Sequence, residues 1–276
     1  MPGLADLIEM SRSRAAADLA VTVAGRGVQL LLGLAGNVAS ARALGPADFG
    51  RFGIIMAVVM ICGTLADMGL TQAAVKYIAR DRQEGAPYDA ARAYMALRPI
   101  SAGIVTLLGL LLSAPIAALL LGRADITPYL QLAFLTLLSL SVSGYPGTIL
   151  LALGKFGSLG LAGVLNAAIT AGGIVLLLML GQLDLGTLVG WNVILPLVSS
   201  IPAWLLLPRQ WLPWRLSGGG TNSVRALLRA GGIGRTMLNF GKWLSLATLG
   251  SIVASQADVL LLGRLSTPET VGVYSV

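Results

Sequence analysis

Three ionisable side chains stand inside long apolar stretches of this chain: Arg26, Asp67 and Asp258. At the centre of a membrane helix each costs about 2.5–3.5 kcal/mol on insertion scales, so each calls for a reason. At helical spacing Thr22, Arg26, Gln29, Gly33, Asn37 and Ser40 share one face. A later stretch repeats the pattern with Ser245, Thr248, Ser251, Ser255 and Asp258. Two polar stripes of this kind, facing each other, would line a hydrated cavity. A guanidinium there suits a phosphate, because its forked donors match two oxygens. Arg26, Gln29 and Asn37 are therefore the candidate substrate-binding residues. Asp67 and Asp258 are the candidates for coupling to a cation or proton. The plainer reading of Asp67 is a structural ion pair with Arg26 or Lys76, and that of Asp258 is a water-facing carboxylate at the interface.

Other chemistries are excluded by composition. The chain has no histidine and one cysteine, Cys62. Ser-His-Asp triads, histidine metal sites, thiolate metal sites and intramolecular disulfides are all out of reach. No catalytic constellation is visible and the outer loops are short, so the expectation is a protein that is not an enzyme, with no cofactor and no metal. The run Gly157, Gly160, Gly163, Ala167, Ala171 reads as a close helix-packing face. A phosphate-binding glycine loop should follow a strand, and none is expected here.

The elements that must position these residues follow from hydropathy. Of 276 residues, 56% are hydrophobic and only 11% charged, against about 25% charged in a soluble domain. Mean hydropathy is +0.82. The fold class is all-α, a polytopic transmembrane helix bundle. Seven complete spans are expected, at 19–40, 52–75, 99–121, 127–152, 157–181, 185–207 and 243–263, with an eighth beginning near Thr270. The first reads as a span and not a cleaved leader, because it exceeds the length of a signal h-region and Arg26 interrupts it. Pro115, Pro146, Pro196 and Pro202 fall in spans, and Tyr145-Pro146-Gly147 should weaken the fourth.

With the N-terminus inside, 14 basic residues fall on the cytoplasmic side and four (Arg42, Arg51, Arg123, Arg264) outside. That asymmetry is a positive-inside signal. It accounts for the net charge of +7 through anionic lipid, without nucleic acid.

Three regions are expected: a six-helix bundle at 1–208, a cytoplasmic connector with a short amphipathic helix at 209–242, and the start of a second bundle at 243–276. The second start resembles the first. At an offset of 222 residues Arg42 meets Arg264, Pro46 meets Pro268, Gly50 meets Gly272 and Phe52 meets Tyr274. A parallel repeat about the membrane normal is a transporter signature. On that reading the chain is the first half of a two-bundle protein plus the opening of its second half.

The stretch Ala41–Arg80, with A-R-x-L-G-P-x-x-F-G at Ala41–Gly50 and D-x-G-L at Asp67–Leu70, resembles the first hairpin of Wzx-type polysaccharide flippases. These belong to the multidrug/oligosaccharidyl-lipid/polysaccharide exporter superfamily. Ser255–Val276 is similar to the start of that family's second half. The resemblance implies two six-helix bundles in the bacterial cytoplasmic membrane. It also implies that an undecaprenyl-diphosphate-linked oligosaccharide moves outward by alternating access, in surface polysaccharide (including lipopolysaccharide) synthesis. The implied partners are that lipid-linked oligosaccharide, membrane lipids and other polysaccharide-assembly proteins. The related lipid II flippases carry a cavity arginine in the first helix, which would be Arg26 here. Two alternatives stay open: a multidrug exporter of the same superfamily, and a non-transporting scaffold in a polysaccharide-assembly complex.

Overall fold

The computed structural model describes residues 4–84, 88–120, 122, 124–216 and 231–274. The expected amphipathic helix of the connector, at 221–230, and the Thr22 side chain lie outside the described residues. The elements are α1 (Leu4–Asp67), α2 (Leu70–Glu84), α3 (Asp89–Pro115), α4 (Thr127–Phe134), α5 (Thr136–Ala152), α6 (Phe156–Met179), α7 (Leu185–Ser199), α8 (Ile201–Leu206), α9 (Pro213–Leu216), α10 (Gly231–Leu265) and α11 (Pro268–Tyr274). Among the described residues there is no strand.

A straight helix of 64 residues would be about 96 Å long, three times the hydrocarbon core of a bilayer. α1 is not straight. Gly45 leaves the helix with φ 77° and ψ 167°, a region open in practice to glycine alone. Pro46 enforces the break, because its ring excludes the helical conformation from the residue before it.

Side-chain neighbours give the direction of each limb. Gly25 packs on Val164, Gln29 on Gly163 and Gly36 on Ile174, so the first limb of α1 runs parallel to α6. α6 is antiparallel to α7, through Asn166 with Ser199 and Gly173 with Trp191. α7 is parallel to α4, through Gly186 with Tyr129 and Gly190 with Leu132. α3 is antiparallel to α4 and α5, through Thr106 with Phe134 and Tyr94 with Thr148. The second limb of α1 is antiparallel to α3, through Ala66 with Ser101 and Asp67 with Arg98. The two limbs of α1 therefore point in opposite directions, and the chain turns back at Gly45.

Six helices among the described residues are long and apolar enough to cross a membrane, the first being Gly25–Glu84. The sequence reading divides that 60-residue element into two spans, and the reversal at Gly45 falls between them. The element also holds a second interruption that hydropathy does not reveal. Met68 (φ 46°) and Gly69 (φ 67°) separate α1 from α2 inside the expected span 52–75. The fourth expected span is broken as well, but not at Pro146, which sits within the helical run of α5. The break is at Leu135, where backbone bonds shorten to i−3 and the Phe134 carbonyl accepts from Thr106 Oγ1 at 3.3 Å.

The lateral faces are inverted relative to a soluble protein. On α3 the large residues Ile100, Ile104, Leu107, Leu108 and Leu111 are exposed, while Ser101, Ala102, Thr106, Gly109 and Ser113 are buried. Small and hydroxyl residues let helices approach, and large apolar ones meet lipid. This is a multi-pass membrane protein.

Two buried clusters cap the bundle. One joins Leu70, Ala74 and Ile78 to Tyr94, Tyr145, Ile149 and Trp211. The other joins Ile54, Ile55 and Val58 to Ile126, Leu130, Phe134 and Val189. The repeat-related segments meet beside the second. A Cβ on Gly50 would strike the Pro268 carbonyl, and one on Gly272 would strike the Pro46 carbonyl. The contact is reciprocal between positions 222 residues apart, the pattern a two-fold relation produces.

The α6–α7 loop ends in a formed cap. Asp184 accepts from the Thr187 backbone N–H at 2.8 Å. The Thr187 hydroxyl, and then its N–H, hold the Asp184 carboxyl below the usual carboxylate range. Because the folded value is depressed, the benefit is present at neutral pH and is lost as pH falls through that value. Asp184→Ala should lower stability by about 1 kcal/mol at pH 7. The gap from the parent should narrow in melts below about pH 4, and solvent screening of this exposed group keeps it small.

Candidate functional site

Between the two clusters the bundle forms an open cavity of about 900 Å³, within the range of small-molecule sites. α1, α3, α5, α6, α7 and α10 all contribute to its wall. Gln29, Asn166, Asn192, Thr170 and Ser199 supply amide and hydroxyl groups, and Asp67 and Arg98 supply the charges.

Asp67 ends α1 at the Met68–Gly69 interruption. Arg98 Nη1 approaches Asp67 Oδ1 at 2.7 Å, with the side chains 15% and 23% exposed for Arg98 and Asp67 respectively. Thr71 Oγ1 donates to the same carboxylate oxygen. A hydroxyl chain leads on from Thr71 to Tyr94 at 3.3 Å and from Tyr94 to Thr148 at 3.2 Å. The break itself is held by two devices. Ser101 Oγ donates to the Ala66 carbonyl at 2.7 Å, satisfying a group that the end of α1 leaves open. Gly69 lies backbone to backbone against Gly241 of α10, with no room for a Cβ on either.

At the far wall Asn166 Nδ2 donates to Ser199 Oγ at 2.9 Å, and Asn192 Nδ2 to the Leu188 carbonyl at 2.9 Å. Their amide oxygens supply the acceptors a polyol needs, beside the donors of Gln29.

The candidates named from sequence separate in space. Gln29 lines the cavity, seated on Gly163. Arg26 and Asn37 are exposed and stand outside that lining. In the second stripe Thr248 reaches the cavity. Asp258 is exposed and accepts from Tyr274 Oη and from the Val259 N–H, tying α10 to α11. Asp67 lines the cavity, but its partner is Arg98 and not Arg26 or Lys76; the Lys76 ammonium lies over the Phe240 ring at 4.1 Å. Of the glycine run on α6, Gly163 serves as expected, while Gly157 and Gly160 have open space beside them.

Sequence reasoning passed over Arg98, assigning it to a cytoplasmic loop because the apolar run begins at Pro99. The helix begins at Asp89, so Arg98 is already two and a half turns in. The apolar Tyr94-Met95-Ala96-Leu97 before it was the available signal.

Residues 15–276 match the family model described as polysaccharide biosynthesis protein. The chain belongs to that family. No curated protein and no solved structure matches it. Members of the polysaccharide biosynthesis protein family are generally transporters rather than enzymes, and among the described residues no cluster of His, Cys, Asp or Glu could hold a metal ion.

The Asp67 corner depends on the glycine beside it. Gly69→Ala places a Cβ at positive φ and into the Gly241 backbone, which should destabilise by about 1–3 kcal/mol. A fall in melting temperature of several degrees in detergent checks this.

Proposed function

We propose that this protein carries a lipid-linked oligosaccharide, with an undecaprenyl-diphosphate carrier, across the bacterial cytoplasmic membrane by alternating access during surface polysaccharide synthesis. The cavity carries the reading. A space of about 900 Å³ that sets amides, hydroxyls and one ion pair in a largely apolar wall, inside helices that turn leucine and isoleucine outward, suits an amphipathic cargo crossing a lipid barrier. Membership of the polysaccharide biosynthesis family supplies the class of cargo.

On this reading the chain crosses the membrane seven times with its N-terminus in the cytoplasm, and α11 opens an eighth crossing. Residues 1–208 form the first six-helix bundle, 209–242 the connector, and 243–276 the start of a second bundle. The reciprocal Gly50–Pro268 and Gly272–Pro46 contacts support a pseudo-two-fold relation between the two. Gln29 meets the sugar, Arg26 and Asn37 meet the cargo at another stage of the cycle, and Asp67 and Asp258 are the candidates for ion coupling.

Gly144 lines the cavity and has open space where a Cβ would stand. Gly144→Trp should therefore fill the cavity without disturbing the fold. Surface polysaccharide should fall to background at an unchanged protein level, with lipid-linked oligosaccharide accumulating in the membrane; normal polymer output would refute the transport reading.

The role of Arg26 has its own test. Arg26→Ala at a normal protein level should lower polymer output roughly ten-fold or more, the worth of one charge-assisted contact. Unchanged output would remove Arg26 from the site.

A further inference from the structure

Arg98 is unusual among the charged groups of this protein. It sits within a membrane helix and lines the cavity. Its Nε and Nη1 are buried and make no hydrogen bond. Nη1 is close to Asp67 Oδ1, but the approach lies outside hydrogen-bonding direction. Asp67 is meanwhile held from its other side by Thr71, which donates to that same oxygen. The pair therefore has the distance of an ion pair without the forked geometry that makes an arginine–carboxylate contact strong. A guanidinium offers five donors in one plane. Leaving buried donors unspent is costly, and such groups in a native structure ask for an acceptor. Asp67 covers this face of the guanidinium, and its departure would open the face to the cavity that both residues line.

We infer that Arg98 is the oxyanion-binding group of the cavity, and that Asp67 is an internal competitor occupying its place until a ligand arrives. The inference rests on the transport reading for the identity of the cargo, but not for the chemistry of the site. A phosphate or a sugar carboxylate presents two oxygens to the guanidinium plane and displaces Asp67. The released carboxylate keeps its hydrogen bond from Thr71. Arg98 is backed by Pro99 and by Ser101, whose hydroxyl ties α3 to the Ala66 carbonyl. Exchange at Arg98 therefore acts at the interruption between α1 and α2.

The arrangement makes an inverted prediction. Removing the acidic residue should strengthen anion binding instead of leaving it unchanged. The test is calorimetric titration of the purified protein in lipid nanodiscs, with inorganic pyrophosphate as the phosphate probe and glucuronate as the carboxylate probe. Asp67→Asn should bind pyrophosphate roughly ten-fold more tightly than the parent, the worth of one contact to a charged group. Arg98→Gln should abolish the response, and Arg98→Lys should retain a weaker one because it lacks the fork. Arg98→Gln alone leaves Asp67 buried without its counter-charge, so Asp67→Asn/Arg98→Gln serves as the charge-free control and should bind neither probe. A tighter response to glucuronate than to pyrophosphate would assign the oxyanion to the sugar; the reverse would assign it to the carrier diphosphate.

Equal or weaker pyrophosphate binding in Asp67→Asn, no binding in either protein, or binding in the double variant would each overturn the inference. Such a result, with polymer output lost in Gly144→Trp, leaves transport standing. Arg98-dependent binding with output untouched by Gly144→Trp leaves the anion site standing and removes the transport reading.

Discussion

At Gly45 the backbone leaves the helix and comes back, and the remaining architecture depends on that reversal. A proline alone would kink a membrane helix and let it continue. Glycine followed by proline does more. Glycine supplies a conformation no other residue holds cheaply, and proline forbids the helical alternative. The limbs on either side then face opposite ways. One is free to pack on α6 and the other on α3 and α10. Without that turn neither wall of the cavity would close, since Gln29 stands on the first limb and Asp67 on the second.

Burial follows from the solvent this protein faces. In lipid there is no gain from hiding leucine, so the helices bury what packs closely or must be hydrogen-bonded. Gly109 sits against Phe134, Gly163 against Gln29 and Gly173 against Trp191. Hydroxyls close on carbonyls within the bundle, as Ser101 does on Ala66 and Tyr145 on Trp211. Several of the polar groups that remain, among them Gln29, Asn166, Asn192 and the Asp67–Arg98 pair, line one space, where water or cargo can reach them.

The apolar lengths that define the helices were plain in the sequence, because a run of about 20 apolar residues rarely serves anything but a membrane crossing. The repeat was legible for a local reason. Pro46, Gly50, Pro268 and Gly272 are held by contact with one another, so their spacing had little freedom. What hydropathy could not reveal was backbone conformation. Met68-Gly69 reads as apolar and helical, and only the positive φ of both residues marks the break. Arg98 was hidden by the opposite error. Charge was taken as the edge of a span, whereas the helix had begun at Asp89. The stripe that placed Arg26, Gln29 and Asn37 on one face was sound as helical geometry. A face of that length still meets more than one neighbour, and of the three only Gln29 reaches the cavity wall. Asp67 stood out as a charge in an apolar run, but its partner lay beyond any spacing rule, on the next helix but one.

The crossing of Gly69 and Gly241 has a mechanical meaning. Where most helices meet, side chains interlock, and turning one helix means lifting ridges out of grooves. Here the two segments touch, at Gly69 and Gly241, through main chain. There are no teeth at that point to disengage, so the resistance to rotation comes from the contacts above and below it. A joint of this kind acts as a fulcrum. The distance between α10 and the α1–α2 junction stays fixed while the angle between them is left to be set at the far end, where Pro46 and Pro268 close on their glycines.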